Sequence, residues 1–479
     1  MTAVKAPEVD SGDQPDLRYA KQLLFVVMLA VMAFGSLMTI VTVSLDKIAT
    51  ELDSTRPTMT WMITGLMLAM AVMTPIGGKL GDVKGHRKVF LIGLAGGVIT
   101  TLASALAWDA TSMIVFRVLF GMTGALVMPN GMALMMDAYG PQRRATAMGW
   151  FQFAMTGAPT IGLVIGGPLI DIVGWRWIFA AFAAVSLLAA AVGARLIRPT
   201  TRLGGVSIDY LGAATLAAAV LSGLLMLTRL SDLIGSAGLL TALTDPLVIV
   251  LALVSAIGVY AFIRVESSVP EPMLKLRYFK RRNFTMPMVS SSLVQFAYMG
   301  GFVVTPALLG SVYGLKVGVI ALILAPRPGA FSLASPLGGY LATAIGERKP
   351  IILGAVIMVG SMGVFAAASG MTGAWGIAVV IVGLMLSGIS SGVSQPAMAS
   401  MVVGAVDKQD MGIANGMSQQ IMFIGIVSGI QTMNVFLGSD AGPGRFAATF
   451  LFGGAVAAVG LLAALAAREP VSSADIATA

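Results

Sequence analysis

Cysteine is absent from the 479 residues, and histidine occurs once, as His86. Structural disulfides, thiolate metal sites and histidine-rich metal centres are thereby excluded, and no clustered nucleophile and base suggests an enzyme. Charge is scarce as well, at 11% of residues against 57% apolar. With a mean hydropathy of +0.90, such a chain cannot hide its apolar side chains in one water-soluble core and belongs in a bilayer. The formal charge of +8 reflects where lysine and arginine sit in the loops rather than an affinity for nucleic acid. A further lack is more specific: of the 22 aspartates and glutamates, none falls in the middle of an apolar run.

Runs able to cross about 30 Å of hydrocarbon predict fourteen helical spans. Their limits are 23–45, 59–80, 89–107, 112–136, 147–170, 176–197, 211–228, 246–264, 284–309, 316–343, 351–369, 374–403, 413–437 and 446–467. Alternate connections collect the basic residues, as at Lys79 to Lys88, Arg143 and Arg144, Arg195 to Arg202, Arg264 to Arg282, and Arg348 with Lys349. The positive-inside rule then places both termini in the cytoplasm of a multi-pass cell-membrane protein. Residues 1–22 read as a disordered tail and 469–479 as a second cytoplasmic tail.

The chain also repeats itself. Pro75, Gly77, Gly78, Leu80, Gly85, Arg87, Lys88 and Gly93 each have an identical partner 261 positions on, from Pro336 to Gly354. Gly121, Pro129, Ala147 and Gly149 recur 267 positions on as Gly388, Pro396, Ala414 and Gly416. Two blocks in register argue for duplicated halves of like orientation. The expected organisation is a six-helix bundle over 23–198, an insertion of two helices and a basic linker ("KLRYFKRRNF") over 199–282, and a second six-helix bundle over 283–468.

On these motifs the chain resembles the major facilitator superfamily, in particular its fourteen-helix drug:proton antiporter branch. "GGKLGDVKGHRK" (77–88) is similar to the loop between helices 2 and 3 that marks the superfamily. The resemblance implies a conformational latch there, with Asp82, Arg87 and Lys88 as its charges and Gly78 and Gly85 as its hinge and close-packing positions. "FRVLFGMTGALVMPNG" resembles the branch's arginine motif and places Arg117 within a span, where an arginine faces a cavity or a partner. "GAPTIGLVIGGPLID" resembles the antiporter packing motif, carried here by Pro159, Gly162, Gly166, Gly167 and Pro168, with Leu163 where proline is usual. "GWRWIF" (174–179) also resembles the branch, although its aromatics alone suit an interfacial belt. "LAPRPGAF" puts Arg327 within the tenth span.

The chain departs from the branch in helix 1, where "LMTIVTVSLDKI" has Leu37 in place of the expected aspartate. The remaining coupling candidates are Arg117, Arg327 and two helix-end carboxylates, Asp46 and Asp137. The fold implied is all-α, two six-helix bundles rocking about a site near mid-membrane. Candidates for lining that site are Thr39, Asn130, Gln152, Gln295, Tyr298, Gln395, Gln419, Gln420, Met128 and Met132. Uncharged amides among flexible thioethers favour hydrophobic cargo over sugars, phosphates or peptides. The expected function is export of hydrophobic or amphipathic small molecules, with proton antiport as one mode and a proton-independent facilitator or a lipid flippase as alternatives. Beyond that cargo and membrane lipids no partner is implied, and no cofactor other than a proton gradient.

Overall fold

The computed structural model describes residues 16–54, 56–200, 209–269, 276–315, 317–407, 410–437 and 442–468. The first half carries α1 (Leu17–Glu51), α2 (Arg56–Lys84), α3 (His86–Ala105), α4 (Ala110–Tyr139), α5 (Arg144–Val173) and α6 (Trp175–Leu196). Then come α7 (Tyr210–Ala237), the short α8 (Leu239–Thr244), α9 (Pro246–Ser268) and a 3-10 turn, Leu276–Lys280. The second half carries α10 (Arg282–Ser311), α11 (Val317–Leu324), α12 (Pro326–Ile345), α13 (Arg348–Ser369), α14 (Gly373–Gly404), α15 (Met411–Leu437) and α16 (Pro443–Ala466). Among the described residues eleven helices are long and apolar enough to cross a membrane. The all-α, multi-pass architecture is the expected one.

Of the limits that differ from the sequence reading, two have a clear local reason. Helix α1 begins inside the expected tail, because Asp16 caps it by accepting a hydrogen bond from the Tyr19 amide at 3.1 Å. The tenth span, expected to be continuous, is divided into α11 and α12 at Ala325–Pro326. Pro326 and Pro328 bring no amide hydrogen to the helix ladder, so a new helix starts there with Pro326 in its first turn.

The duplication is visible in the packing. In the first half α1 packs on α5, α2 on α4, and α3 on α6; in the second, α10 packs on α15, α12 on α14, and α13 on α16. Each half has its own apolar core with a stacked phenylalanine pair, Phe34 on Phe120 at 4.5 Å and Phe365 on Phe450 at 5.0 Å between centroids. Gly85 and Gly346, partners in the repeat, end α2 and α12 with φ of 89° and 90°, a turn that a side chain would strain. The halves meet along two seams, α2 against α15 and α5 against α12. Helix α7 lies over the first seam, in contact with both α2 and α15.

The seams rest on glycine. A Cβ on Gly78 would strike the Gly412 carbonyl, and one on Gly339 the Ala145 carbonyl. One on Gly149 would strike Ser335, and one on Gly416 would strike Pro75. These are two pairs of repeat partners, so both seams use one backbone design. Within the first half Gly121 is as tight against the Leu66 carbonyl of α2. Gly121→Val is therefore expected to destabilise the fold by about 1–3 kcal/mol through overpacking. A thermal-unfolding midpoint in detergent equal to that of the parent would contradict this packing.

Candidate functional site

At the end of the molecule that carries the arginine-rich turns, Asp82 reaches from the last turn of α2 to the first turn of α15. Its Oδ1 accepts from the Gly412 amide and its Oδ2 from the Ile413 amide, both at 2.9 Å. These amides have no partner within their own helix, and the positive end of the helix dipole favours the carboxylate charge. Asp82 is 4% exposed. Beside it, His86 Nε2 lies 3.4 Å from Asp82 Oδ1, and His86 Nδ1 lies 2.8 Å from Asn130 Oδ1. Asn130 donates in turn to the carbonyls of Gly77 at 2.9 Å and Leu126 at 2.7 Å.

The second seam has the same backbone and different chemistry. Thr343, the repeat partner of Asp82, meets Thr146 in the first turn of α5 with 2.9 Å between hydroxyls. The acidic residue stands one turn further on: Glu347 lies 3.9 Å from Arg144 Nε, and Ser400 bridges them, hydrogen-bonded to the Glu347 carboxylate and accepting from Arg144 at 3.1 Å. The aspartate of the first turn is thus replaced in the second by a threonine with an ion pair below it.

The other expected latch residues are spread out. Arg87 donates to the Ala194 carbonyl of α6 at 2.7 Å, so it acts within its own half, and Lys88 is exposed. Gly78 packs against α15, and Gly85 forms the turn after α2. The linker side of α15 is held by Tyr278, whose hydroxyl lies 2.5 Å from Asp410 Oδ2 and 2.8 Å from Asp407 Oδ2. Burial, then the hydrogen bonds to those carboxylates, pushes the Tyr278 phenol well above its usual range.

Further from the basic end a cavity lies between the halves. It is lined by Met132 of α4, Phe151, Gln152 and Met155 of α5, Ser291 of α10, Gln395 and Ala399 of α14, and Ser418, Gln419 and Met422 of α15. Four sequence candidates, Gln152, Gln395, Gln419 and Met132, are thereby brought together. Gln419 donates to the Met132 sulfur at 3.2 Å, and Gln395 to Ser291 at 3.4 Å. Gln295 accepts from Ser391 at 3.2 Å outside that lining, Gln420 is buried, and Met128 belongs to the first-half core. Asn130 belongs to the group formed with His86 and Asp82 at the first seam. The side chains of Thr39, Asp46, Pro159, Gly162, Gly166, Gly167 and Pro168 lie outside the described residues.

Both span arginines are buried in aromatic boxes. Arg117 lies over Phe120 at 4.8 Å and Phe179 at 5.7 Å. Arg327 lies over Tyr298 at 3.6 Å and Phe302 at 4.7 Å, and it donates to the Tyr298 carbonyl. Asp137 is exposed at the basic end of α4. At the opposite end "GWRWIF" divides its aromatics: Trp175 is buried and donates to Glu51 at 2.8 Å, as does Arg176, while Trp177 is 73% exposed. The His86–Asn130 bond and the Glu347–Arg144–Ser400 group escaped the sequence reading. The 261-residue repeat would have led from His86 to Glu347, its partner in position.

Helices paired in this duplicated way around a central cavity define a transporter. The profile of the Major Facilitator Superfamily matches residues 23–430, and the chain belongs to that family. It is 28% identical over 430 residues to the multidrug transporter protein MdtP of Bacillus subtilis, covering 89% of this chain and 77% of that protein. It is 27% identical to the tetracenomycin C resistance and export protein of Streptomyces glaucescens, over 88% of this chain and 76% of the relative. To the multidrug export protein EmrB of Escherichia coli it is 28% identical, over 67% and 64%. Among solved structures the human organic anion transporter MFSD10 superposes with a TM-score of 0.64 at 16% identity, covering 94% of this chain and all of the other. The proton:xylose symporter XylE does so with 0.66 at 12% identity, over 93% and 95%. Those two likenesses concern the fold alone.

Asp82→Ala removes two charge-assisted hydrogen bonds, each worth about 1.5–3 kcal/mol. Hydrogen exchange at Gly412 and Ile413 should rise by roughly tenfold or more, measured by mass spectrometry in detergent. Unchanged protection would mean that the carboxylate does not hold α15.

Proposed function

We propose that this protein exports hydrophobic or amphipathic drug-like molecules across the cell membrane by alternating access, with its basic end in the cytoplasm. The observation that carries the reading is the cavity between the halves: three methionines, one phenylalanine and neutral amides, with no charged side chain among the described residues of its lining. Thioethers adapt to differently shaped apolar surfaces, and a few amides orient a polar group without demanding one. A sugar or phosphate would leave its own polar groups unpaired there. The named activities of the bacterial relatives point to the same class of cargo. The contacts joining the halves, from Asp82 on Gly412 at the basic end to Ser332 on the Phe153 carbonyl at 3.0 Å at the depth of the cavity, fit a state closed to the cytoplasm. The basic loops support the orientation of both termini.

Proteoliposomes loaded with an apolar fluorescent dye provide the test, with and without an imposed pH gradient. Protein-dependent dye movement is expected, and Gln419→Leu should shift the apparent KM by about fivefold or more, since one buried hydrogen bond is worth about 1 kcal/mol or slightly more. Accumulation against a concentration difference only under the gradient identifies antiport; equal rates in both conditions identify a facilitator. Movement of labelled phospholipid with no movement of dye would overturn the reading in favour of a flippase.

A further inference from the structure

The polar contact that crosses the cavity from one half to the other ends on sulfur. Gln419 of α15 donates from Nε2 to the Met132 sulfur of α4 at 3.2 Å, and both side chains belong to the cavity lining. A thioether is a weak acceptor, so the amide is held in place without being well satisfied. One turn nearer the basic end the pattern recurs. Asn415 Nδ2 lies 4.0 Å from the Met136 sulfur, and Asn415 Oδ1 is buried with no hydrogen-bond partner. Asn415 and Gln419 are four residues apart on α15, as Met132 and Met136 are on α4, so at two successive turns the first half presents sulfur to an amide of the second. Of the two amides, only Gln419 lines the cavity.

On the export reading of this cavity, we infer that the Met132 sulfur holds the place of a cargo oxygen, and that Gln419 selects apolar cargo bearing a carbonyl. A carbonyl oxygen accepts an amide hydrogen far better than a thioether does. On its entry the Gln419 amide trades a weak acceptor for a strong one, and Met132, unbranched and flexible, turns aside into apolar contact. Sulfur loses little by that exchange, since it is barely polar. A hydrocarbon of the same shape gains nothing from Gln419 and leaves the amide where it was. A carboxylate would meet the same amide, but no cationic side chain among the described residues of the lining offsets its charge. The class of cargo is therefore neutral: ketones, quinones, amides and lactones on an apolar frame. Gln419 is the residue that determines this specificity, and Met132 sets how readily it acts.

Benzophenone and diphenylmethane, alike except for one carbonyl, provide the test. Equilibrium dialysis against lipid nanodiscs holding the full chain gives a saturable affinity for each, with empty nanodiscs as the blank. Comparing the ratio of the two affinities between variants cancels their different solubility in lipid. Gln419→Leu should lower the parent's preference for the ketone by about fivefold, the worth of one buried hydrogen bond. Met132→Leu keeps the volume and removes the sulfur; it should raise the preference by about twofold or more, because the amide then lacks an acceptor until the ketone arrives. Asn415→Leu, outside the lining, should leave it at the parent value. On the parent chain the carbonyl stretch of isotope-labelled benzophenone should fall on binding relative to empty nanodiscs, as it does when the oxygen accepts a hydrogen bond. A ratio unmoved by Gln419→Leu or not raised by Met132→Leu, an equal loss in Asn415→Leu, or an unshifted stretch would each overturn the proposal, as would the lack of saturable benzophenone binding. The infrared reading needs no variant, so it decides even where one does not fold. None of these measurements uses transport: dye movement without a ketone preference overturns this inference alone, and ketone binding without dye movement overturns export alone.

Discussion

A carboxylate set against the first free amides of a helix is the contact around which the basic end of the molecule is packed. Asp82 satisfies Gly412 and Ile413, which α15 itself leaves without partners. The contact is strong because the site is dry, and it is dry because the backbones meet at Gly78 with no side chain between them. Neither part suffices alone. A larger residue at 78 would hold the amides out of reach, and an uncharged residue at 82 would leave them buried with weaker acceptors.

The two seams show how a duplicated gene can keep a shape and change its chemistry. Repeat partners place glycine at the same four points of contact. At the first seam one carboxylate binds a helix end and meets a histidine; at the second a threonine pair takes that place, and Glu347 with Arg144 forms an ion pair through Ser400. Ion pairs between long side chains tolerate small displacements, whereas two amide hydrogens on one carboxylate do not. The two seams therefore tolerate different displacements before their contacts are lost, although their helices are equivalent.

The fold was legible in the sequence because its signals are periodic: apolar runs of membrane length, basic residues in alternate loops, and glycines in register over both halves. The break before Pro326 was not, since an apolar run continues across it and hydropathy does not register a missing amide hydrogen. Asp82 stood out as a lone acid among glycines. Its partners could not be named, because they are backbone amides 330 and 331 positions away whose side chains carry no signal. Arg87 looked the same in sequence and yet caps its own half, because the turn at Gly85 sends it toward α6. Asn130 read as a polar cavity residue; the Gly77 carbonyl of α2 and His86 at the start of α3 hold it instead.

The inserted helices make the two flanks of the molecule unequal. Helix α7 covers the α2–α15 seam and packs on α9, whereas the inserted helices do not pack on the α5–α12 seam, which is met by α14 of the second half. One flank is therefore thickened by a second layer of helices and the other is not, so the two seams, alike in backbone, are shielded unequally.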